Sequence, residues 1–484
     1  MVEVAENLPV EQQLSIYQAE GIRPSALPGE TLQSPHLDIE MVNHAGLLFT
    51  RGNTGLLVDP WLTGSAFESG WDLLSPTSFG ESDWGRVTHI WISHEHPDHF
   101  SVPSLRSIPE ADRDRIEVLF QRTEDQRVLA FCQRLFKAVT EIGPEPVDIG
   151  DLRISCTNHT FGDSYLWVEA GDMLVLNTND CVFENEDDLT RLLRSLPKAP
   201  DVLCTQFSYA NWCGNPDDPT SRLAYADGVA QAVLAQIEVL QPTFVVPFAS
   251  FIWHSHEENS YMNTTANDVG DIAAMISTDT GSLPIVLYPG ESWAPAESRS
   301  AEANNVAIES YRSDVAAWVE RGPKHRTETV PLETLLEHAE QWHASLRDVL
   351  GRSSRAFEVT GYLRPVALWV EDHAVAIEIT VSSLKINKGS TDGACHLAAT
   401  SDALDACFRQ PYGGMTLGVN GRFRTPKPEG HQLVMRFFHI AWLESQSKSP
   451  VREVAAIAWR RVVGKAQGAL RSGSQILKPA RRAG

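Results

Sequence analysis

The chain has few cysteines and no arrangement of them that would hold a disulfide framework. Its seven cysteines are odd in number and scattered, with no C-x-x-C pair, which excludes a disulfide-stapled fold and indicates a reducing compartment. No apolar run approaches the length of a membrane span, and the first residues carry acid where a signal peptide carries base. We therefore expect a cytoplasmic protein without a membrane span.

Positive charge is also scarce, with 40 lysines and arginines against 63 acids and a formal charge of −23. A field of this sign repels nucleic acid and anionic membranes, so neither is an expected partner. The exception is the stretch over 448–484, where nine basic residues face one acid, Glu453. It predicts a basic amphipathic tail that is either docked on an acidic surface or solvated.

The remaining composition is typical of a globular protein, with 42% hydrophobic and 21% charged residues. A length of 484 residues exceeds what one core usually holds. Strands alternate with helices, including helices expected over 124–136, 220–240 and 301–351. We predict five parts: an N-terminal extension over 1–36, a metal domain over 37–298, a helical connector over 299–354, an α+β domain over 355–446 and the tail over 447–484.

The strongest motif follows an apolar strand over 88–92. It places four ligand-type side chains within six residues: His94, His96, Asp98 and His99. In an extended or tightly turned segment, alternate side chains point the same way, so the first two imidazoles can close on one cation while the Asp98–His99 pair reaches a second. Such groups seldom crowd together without a metal that offsets their desolvation. The motif predicts a dinuclear metal centre.

The His-x-His-x-Asp-His spacing resembles the metallo-β-lactamase fold superfamily. The flanking residues 87–90 and 100–105, and the segments over 177–181 and 205–212, are similar to the branch that contains CMP-N-acetylneuraminate hydroxylase and the lactonase-like proteins. The likeness runs from His44 to Tyr261, about half the chain. It implies an α/β fold in which the metal domain is an αββα sandwich.

The resemblance also implies ligands beyond the motif. Asp180, after the strand over 173–176, matches the aspartate that bridges both metals. His159 stands where the superfamily has its next ligand, although a lone histidine after a strand is often structural. The last ligand falls in a second cluster, at His254 first, or at His256 or Glu257. Asp59-Pro60 resembles a motif whose aspartate supports the ligands by hydrogen bonding, but Asp-Pro is equally a common turn starter.

The loop after the strand over 201–207 provides candidates for a substrate pocket, because loops after core strands carry function. Together with those members of the second cluster that do not bind metal, the candidates are Gln206, Ser208, Tyr209, Trp212, His256 and Glu257. Trp212 could instead close the core.

The C-terminal part has a different pattern of predicted strands and helices. Strands expected over 357–363, 366–370 and 374–379, a helix opened by Ser401-Asp402, a glycine-marked strand over 415–423 and a helix over 431–444 resemble a sterol-carrier-like α+β domain. That resemblance implies a tunnel for an apolar ligand or, alternatively, a homodimer contact.

Two chemistries fit the metal site. The resemblance to the hydroxylase branch implies a diiron oxygenase that hydroxylates a small-molecule substrate, with Asp98 and Asp180 in the catalytic centre. Zinc or manganese in the same ligands would instead suit a hydrolase of an ester, lactone or phosphoester.

The hydroxylase family carries a Rieske iron–sulfur domain, whose paired Cys-x-His and Cys-x-x-His sequences do not occur here. An oxygenase would therefore need O₂ and an external reductase. A non-enzymatic scaffold is the third possibility, and the intact ligand set argues against it.

Overall fold

The computed structural model describes residues 36–183, 185–325, 329–359, 361–445, 449 and 451–452. The N-terminal extension predicted over 1–36 and the basic tail predicted over 447–484 lie outside these residues, apart from positions 36, 449, 451 and 452.

The first half of the metal domain, in chain order, contains seven strands and three helices. They are β1 (Asp38–Asn43), β2 (Gly46–Arg51), β3 (Thr54–Val58), β4 (Trp71–Leu73), β5 (His89–Ile92), α1 (Val102–Ser107), α2 (Glu110–Arg113), β6 (Glu117–Gln121), α3 (Arg127–Leu135) and β7 (Ala138–Ile142).

The second half continues in the same alternation. Its elements are β8 (Val147–Ile149), β9 (Leu152–Asn158), β10 (Ser164–Ala170), β11 (Met173–Asn179), α4 (Glu186–Ser195), β12 (Val202–Gln206), α5 (Pro219–Leu240), β13 (Phe244–Phe248), β14 (Ile252–His254), α6 (Val269–Asp279), β15 (Leu283–Pro284), β16 (Ser292–Trp293) and α7 (Ala301–Arg321).

These strands form two seven-stranded sheets. The first has the order β16-β1-β2-β3-β5-β6-β7, the second has the order β15-β13-β12-β11-β10-β9-β8, and β4 pairs separately with β14. Strands β3, β5 and β6 run parallel, as do β11, β12 and β13. Since parallel strands end at the same edge of a sheet, the loops after β3 and β5 lie side by side.

The two sheets pack face to face, and helices cover their outer faces. On β2, Leu47 and Phe49 join the core shared by both sheets, whereas Leu48 joins a cluster with residues of α1 and α3. This separation follows from the two-residue period of a strand, which sends alternate side chains to opposite faces. Residues of α4, α5 and α6 pack with the second sheet. The predicted αββα sandwich of the α/β class is confirmed.

Helix α5 confirms the helix expected over 220–240. By length and composition it is the one helix in the described part of the chain that could cross a membrane. It packs instead on the second sheet through Val233 and Ile237. Its buried Gln236 accepts hydrogen bonds at 3.2 Å from the hydroxyls of Thr178 and Thr205, which is how a core helix satisfies a polar side chain.

The C-terminal part forms a second unit with its own core. Its elements are α8 (Leu332–Leu350), α9 (Ser354–Val359), β17 (Val366–Val370), β18 (Val375–Ile379), β19 (Leu384–Asn387), β20 (Leu397–Ala399), α10 (Ser401–Arg409), α11 (Gly413–Asn420) and α12 (Gly430–Ser445). The sheet order is β19-β18-β17-β20. This is the expected α+β mixture, while the sterol-carrier resemblance stays a prediction.

The helices expected over 301–351 belong to different cores. Helix α7 packs on the metal domain through Tyr311 and Trp318, whereas α8 packs in the second core through Leu335 and Leu346. We infer that the boundary between the two units lies at 322–331, inside the predicted connector.

Two predicted strands are wrong, because the described residues of both segments form helix, turn or loop instead. The stretch predicted as a strand over 357–363 contains the end of α9, and the one over 415–423 contains most of α11. A Cβ on Gly414 would lie 2.1 Å from the Phe438 ring, so α11 and α12 are in close contact. That helix–helix packing, rather than local strand propensity, determines the conformation here.

Candidate metal centre

Asp59 organises the end of β3. Its backbone adopts a φ of +41°, a left-handed conformation that aspartate tolerates better than most residues. The fully buried carboxylate accepts hydrogen bonds from the Ser93 amide at 2.8 Å, the Ser93 hydroxyl at 2.7 Å and His99 Nδ1 at 2.9 Å. Asn179 adds a fourth donor at 3.2 Å. Asp59 therefore fixes the orientation of His99, in keeping with a supporting role.

One ligand group combines the motif with a distant histidine. His44, Asp98 and His99 are buried and offer ligand atoms that lie within 4.8 Å of one another. His44 Nε2 lies 3.1 Å from Asp98 Oδ2, and His99 Nε2 lies 3.5 Å from the same oxygen. Sequence reasoning missed His44 as a candidate ligand, since it stands alone in the β1–β2 turn. The structure gives this residue a φ of +40°.

The second group consists of His94, His96 and Asp180, again with ligand atoms within 4.8 Å. His94 Nε2 and His96 Nδ1 lie 2.8 Å apart. Asp180, which follows β11 on the opposite sheet, also lies 3.3 Å from His99 Nε2. Its carboxylate therefore lies close to residues of both groups.

A further carboxylate lies beside the second group. Asp163, at the start of β10, has an oxygen 3.7 Å from His94 Nε2 and is 7% exposed. Burial raises its pKa well above the usual range, and the charge of Asp180 adds to the rise. Sequence analysis did not select this residue, because it belongs to no motif with the spacing of metal ligands.

Burial and neighbouring charges shift the pKa values of the groups inside the site. Burial alone would raise the pKa of Asp98, but the charge of His99 and the hydrogen bond with His44 lower it to about 2. Burial lowers the pKa of His94 well below its usual value, and the neighbouring histidines lower it further. For His99, burial is outweighed by Asp180 and the other nearby acids, so its pKa is raised.

The donor set fits a pair of cations. Asp98 Oδ1 and Asp180 Oδ1 are buried and have no hydrogen-bond partner in the described part of the chain, an arrangement that is unfavourable unless another group satisfies them. Imidazole nitrogens and carboxylate oxygens suit iron and zinc alike.

The other predicted ligands lie outside both groups. His159 Nε2 lies 2.8 Å from the carbonyl oxygen of Val182, and its ring packs on Phe183. His254 packs against Trp71, its Nδ1 lies 3.3 Å from Asn263 Oδ1, and burial lowers its pKa to about 4.

The alternatives to His254 lie near the second unit. His256 Nδ1 lies 3.2 Å from a Glu258 oxygen, and Glu257 lies 2.7 Å from His325 Nδ1. Both residues face partners other than the metal groups, and their assignment to a substrate site stays a prediction.

The remaining predicted pocket residues lie in three different places. Ser208 and Tyr209 line a small cavity of about 90 Å³ together with His254. The Trp212 ring packs on Phe423 of the second unit in a tilted arrangement, with ring centroids 4.9 Å apart. Gln206, at the end of β12, has a buried Nε2 without a hydrogen-bond partner among the described residues. Their predicted contact with substrate stays untested.

Comparison with known proteins gives the same fold assignment. No family model matches the chain. It is 26% identical over 301 residues to the cytidine monophosphate-N-acetylneuraminic acid hydroxylase of Danio rerio, covering 58% of this chain and 49% of that protein. The Mus musculus hydroxylase is 26% identical over 286 residues, with 54% and 47% covered. The chain thus resembles the metallo-β-lactamase fold superfamily. It spans about half the length of the curated relatives that it matches.

Solved structures align less closely. The diiron β-hydroxylase CmlA from Streptomyces venezuelae gives a TM-score of 0.39 at 14% identity, with 59% of each chain covered. A possible metal-dependent hydrolase from Veillonella parvula gives 0.41 at 17% identity, with 54% of this chain and 99% of that chain covered.

Proposed function

We propose that the chain is a dinuclear-metal oxygenase of the hydroxylase type. The observation that carries the proposal is the position of Asp180, which joins the His94–His96 group and lies 3.3 Å from His99 of the other group. A carboxylate shared by two cations neutralises both and holds their separation. The curated relatives, which are named as hydroxylases, support oxygenation over hydrolysis.

The proposed ligands divide between two cations. His94, His96 and Asp163 would hold the first, His44, Asp98 and His99 would hold the second, and Asp180 would contact both. Asp163 and His44 would thus take the roles that were predicted for His159 and His254. Their proximity to the two groups supports this exchange.

Hydrogen bonds from neighbouring residues orient the imidazole rings of the proposed ligands. Asp59 accepts a hydrogen bond from His99 Nδ1, which would leave the Nε2 lone pair available to a cation. The Ser93 hydroxyl lies 2.9 Å from His94 Nδ1 and serves the same purpose there. When bound, two irons would supply activation of O₂. Hydroxylation of one C–H bond then consumes one O₂, two electrons and two protons and releases water, so an external electron donor is required.

Metal analysis tests the proposal. Protein purified without added metal should contain about two irons per chain, and its optical spectrum should change when the reduced protein meets air. Zinc with no response to oxygen would overturn the oxygenase and favour a hydrolase acting through metal-bound water. Retained biological activity after Asp180→Ala and His96→Ala would favour the scaffold alternative.

A further inference from the structure

A cavity of about 630 Å³ opens beside the candidate metal centre, between the metal domain and the C-terminal unit. His96 and Glu95 line one part of it. The rest is largely apolar, and both units supply its side chains: Phe67, Phe100, Phe131, Met415, Val419 and Trp442. Its volume and lining are those of a site for a small organic molecule.

The apolar wall reaches the metal ligands. The Phe67 ring lies 5.8 Å from the His96 ring in an edge-to-face arrangement, and the Phe100 and Phe131 rings lie 5.2 Å apart. A molecule that covers these rings therefore has one end next to His96.

The C-terminal wall is held firmly in place. Asn420, at the end of α11, donates a hydrogen bond to the Phe67 carbonyl at 3.1 Å and accepts one from Asn259 at 2.7 Å. Arg422 is 3% exposed and forms ion pairs with Glu258 at 2.7 Å and with Asp402 at 2.6 Å. The wall is thus fixed to the same segment, around Phe67, that lines the cavity from the other side.

The cavity lining carries three carboxylates and two arginines, and one of the arginines has no ion pair among the described residues. Asp125 pairs with Arg127, and Glu68 hydrogen-bonds to Gln410. Glu95 lies on the side of the metal groups, where bound cations would offset its charge. Arg134 is exposed on α3 and has no ion pair or hydrogen bond in the described part of the chain.

Arg134 lies on the same helix as the other arginine of the cavity. It follows Arg127 by seven residues, roughly 10 Å along α3 at 1.5 Å per residue.

We propose that this cavity binds an amphiphilic organic anion, with its apolar body along the Phe67–Trp442 wall and its carboxylate, sulfate or phosphate on Arg134. The proposal rests on the proposed function only in making the end next to His96 the reacting end. The C-terminal unit is then a wall of the substrate site.

Two fluorescent probes with the same body test it. 8-Anilinonaphthalene-1-sulfonate carries an anion, and N-phenyl-1-naphthylamine is neutral. In the full-length, metal-loaded protein, Arg134→Glu should weaken sulfonate binding at least tenfold and leave the neutral probe unchanged, since only the charged contact is lost. Arg134→Lys should retain most of the affinity. Met415→Asp, which places a charge on the apolar wall, should weaken both probes.

Arg347→Glu is the matched control, because Arg347 is an exposed arginine on α8 away from the cavity and its reversal changes the net charge equally. Equal effects of Arg134→Glu and Arg347→Glu would overturn the anion site, and probe binding that survives Met415→Asp would overturn the cavity as the site. Iron content measured on every variant keeps the two proposals apart: two irons without probe binding removes this inference alone, and probe binding without metal removes the proposed function alone.

Discussion

His44 Nε2 lies 3.1 Å from Asp98 Oδ2, although 54 residues separate the two in the chain. The contact brings the β1–β2 turn against the loop after β5. It adds a third residue to a candidate ligand group of which the His94–His99 motif supplies two, Asp98 and His99.

We expect His44→Ala to remove about one of the two metals, because the second cation would lose one of its imidazole ligands. Elemental analysis of the purified variant measures this. His325→Ala is the control, since His325 is a largely exposed histidine whose partner is Glu257. Full occupancy in His44→Ala would contradict the ligand assignment.

Asp163 and His159 are alternative candidates for the same metal-ligand position. We expect Asp163→Asn to weaken metal binding roughly 10- to 100-fold, the scale that measured ligand-shell changes reach, and His159→Ala to change it little. Metal titration with a competing chelator compares the two variants. The reverse ranking would restore His159 as the ligand.

Asp59→Asn should keep the left-handed backbone, which asparagine also tolerates, but lose the charge that holds His99. We expect weaker metal affinity with a smaller loss of folding stability than in Asp59→Ala, which also leaves the Ser93 donors unpaired. Metal titration and thermal unfolding of both variants separate the two effects. Unchanged metal affinity in Asp59→Asn would show that the charge of Asp59 is dispensable.

Arg422→Met removes the buried cation between Glu258 and Asp402, and we expect a loss of about 3–5 kcal/mol in the free energy of unfolding. Arg424→Met is the control: that arginine also pairs with two acids but is more exposed, so about 1 kcal/mol or less is expected. Denaturant unfolding measures both. Similar losses in the two variants would mean that the buried ion pairs do not stabilise the contact between the units.

Glu258 gives this contact a pH dependence. Burial alone would raise the pKa of Glu258, but the hydrogen bond with His256 and the charge of Arg422 lower it to about 2. A carboxylate whose pKa is lower in the folded state stabilises the fold above its unfolded pKa, and this contribution is lost as the pH falls from about 4.5 towards 2. The stability difference between the parent chain and Glu258→Gln should therefore shrink over that range in denaturant titrations. A constant difference would contradict the assignment.

The sequence analysis was correct for features whose signal lies within a short stretch of the chain. The long apolar helix α5 and the compact His94–His99 motif each carry their signal within one continuous stretch of the chain. His44 and Asp163 reach the centre only because separate turns of the two sheets meet there, and a lone residue in a turn carries no spacing. Helix α11 was missed for a related reason, since its conformation depends on the approach of Phe438 to Gly414, 24 positions away.

The candidate ligands are distributed over both halves of the sandwich. His44 and the His94–His99 motif lie on loops of one sheet, whereas Asp163 and Asp180 flank β10 and β11 of the other. Two cations bound by all of these residues would link the two sheets to each other at the edge where the ligands lie. Metal supply would then govern the lifetime of the folded protein as well as its chemistry, because binding free energy adds directly to the free energy that keeps the sheets together.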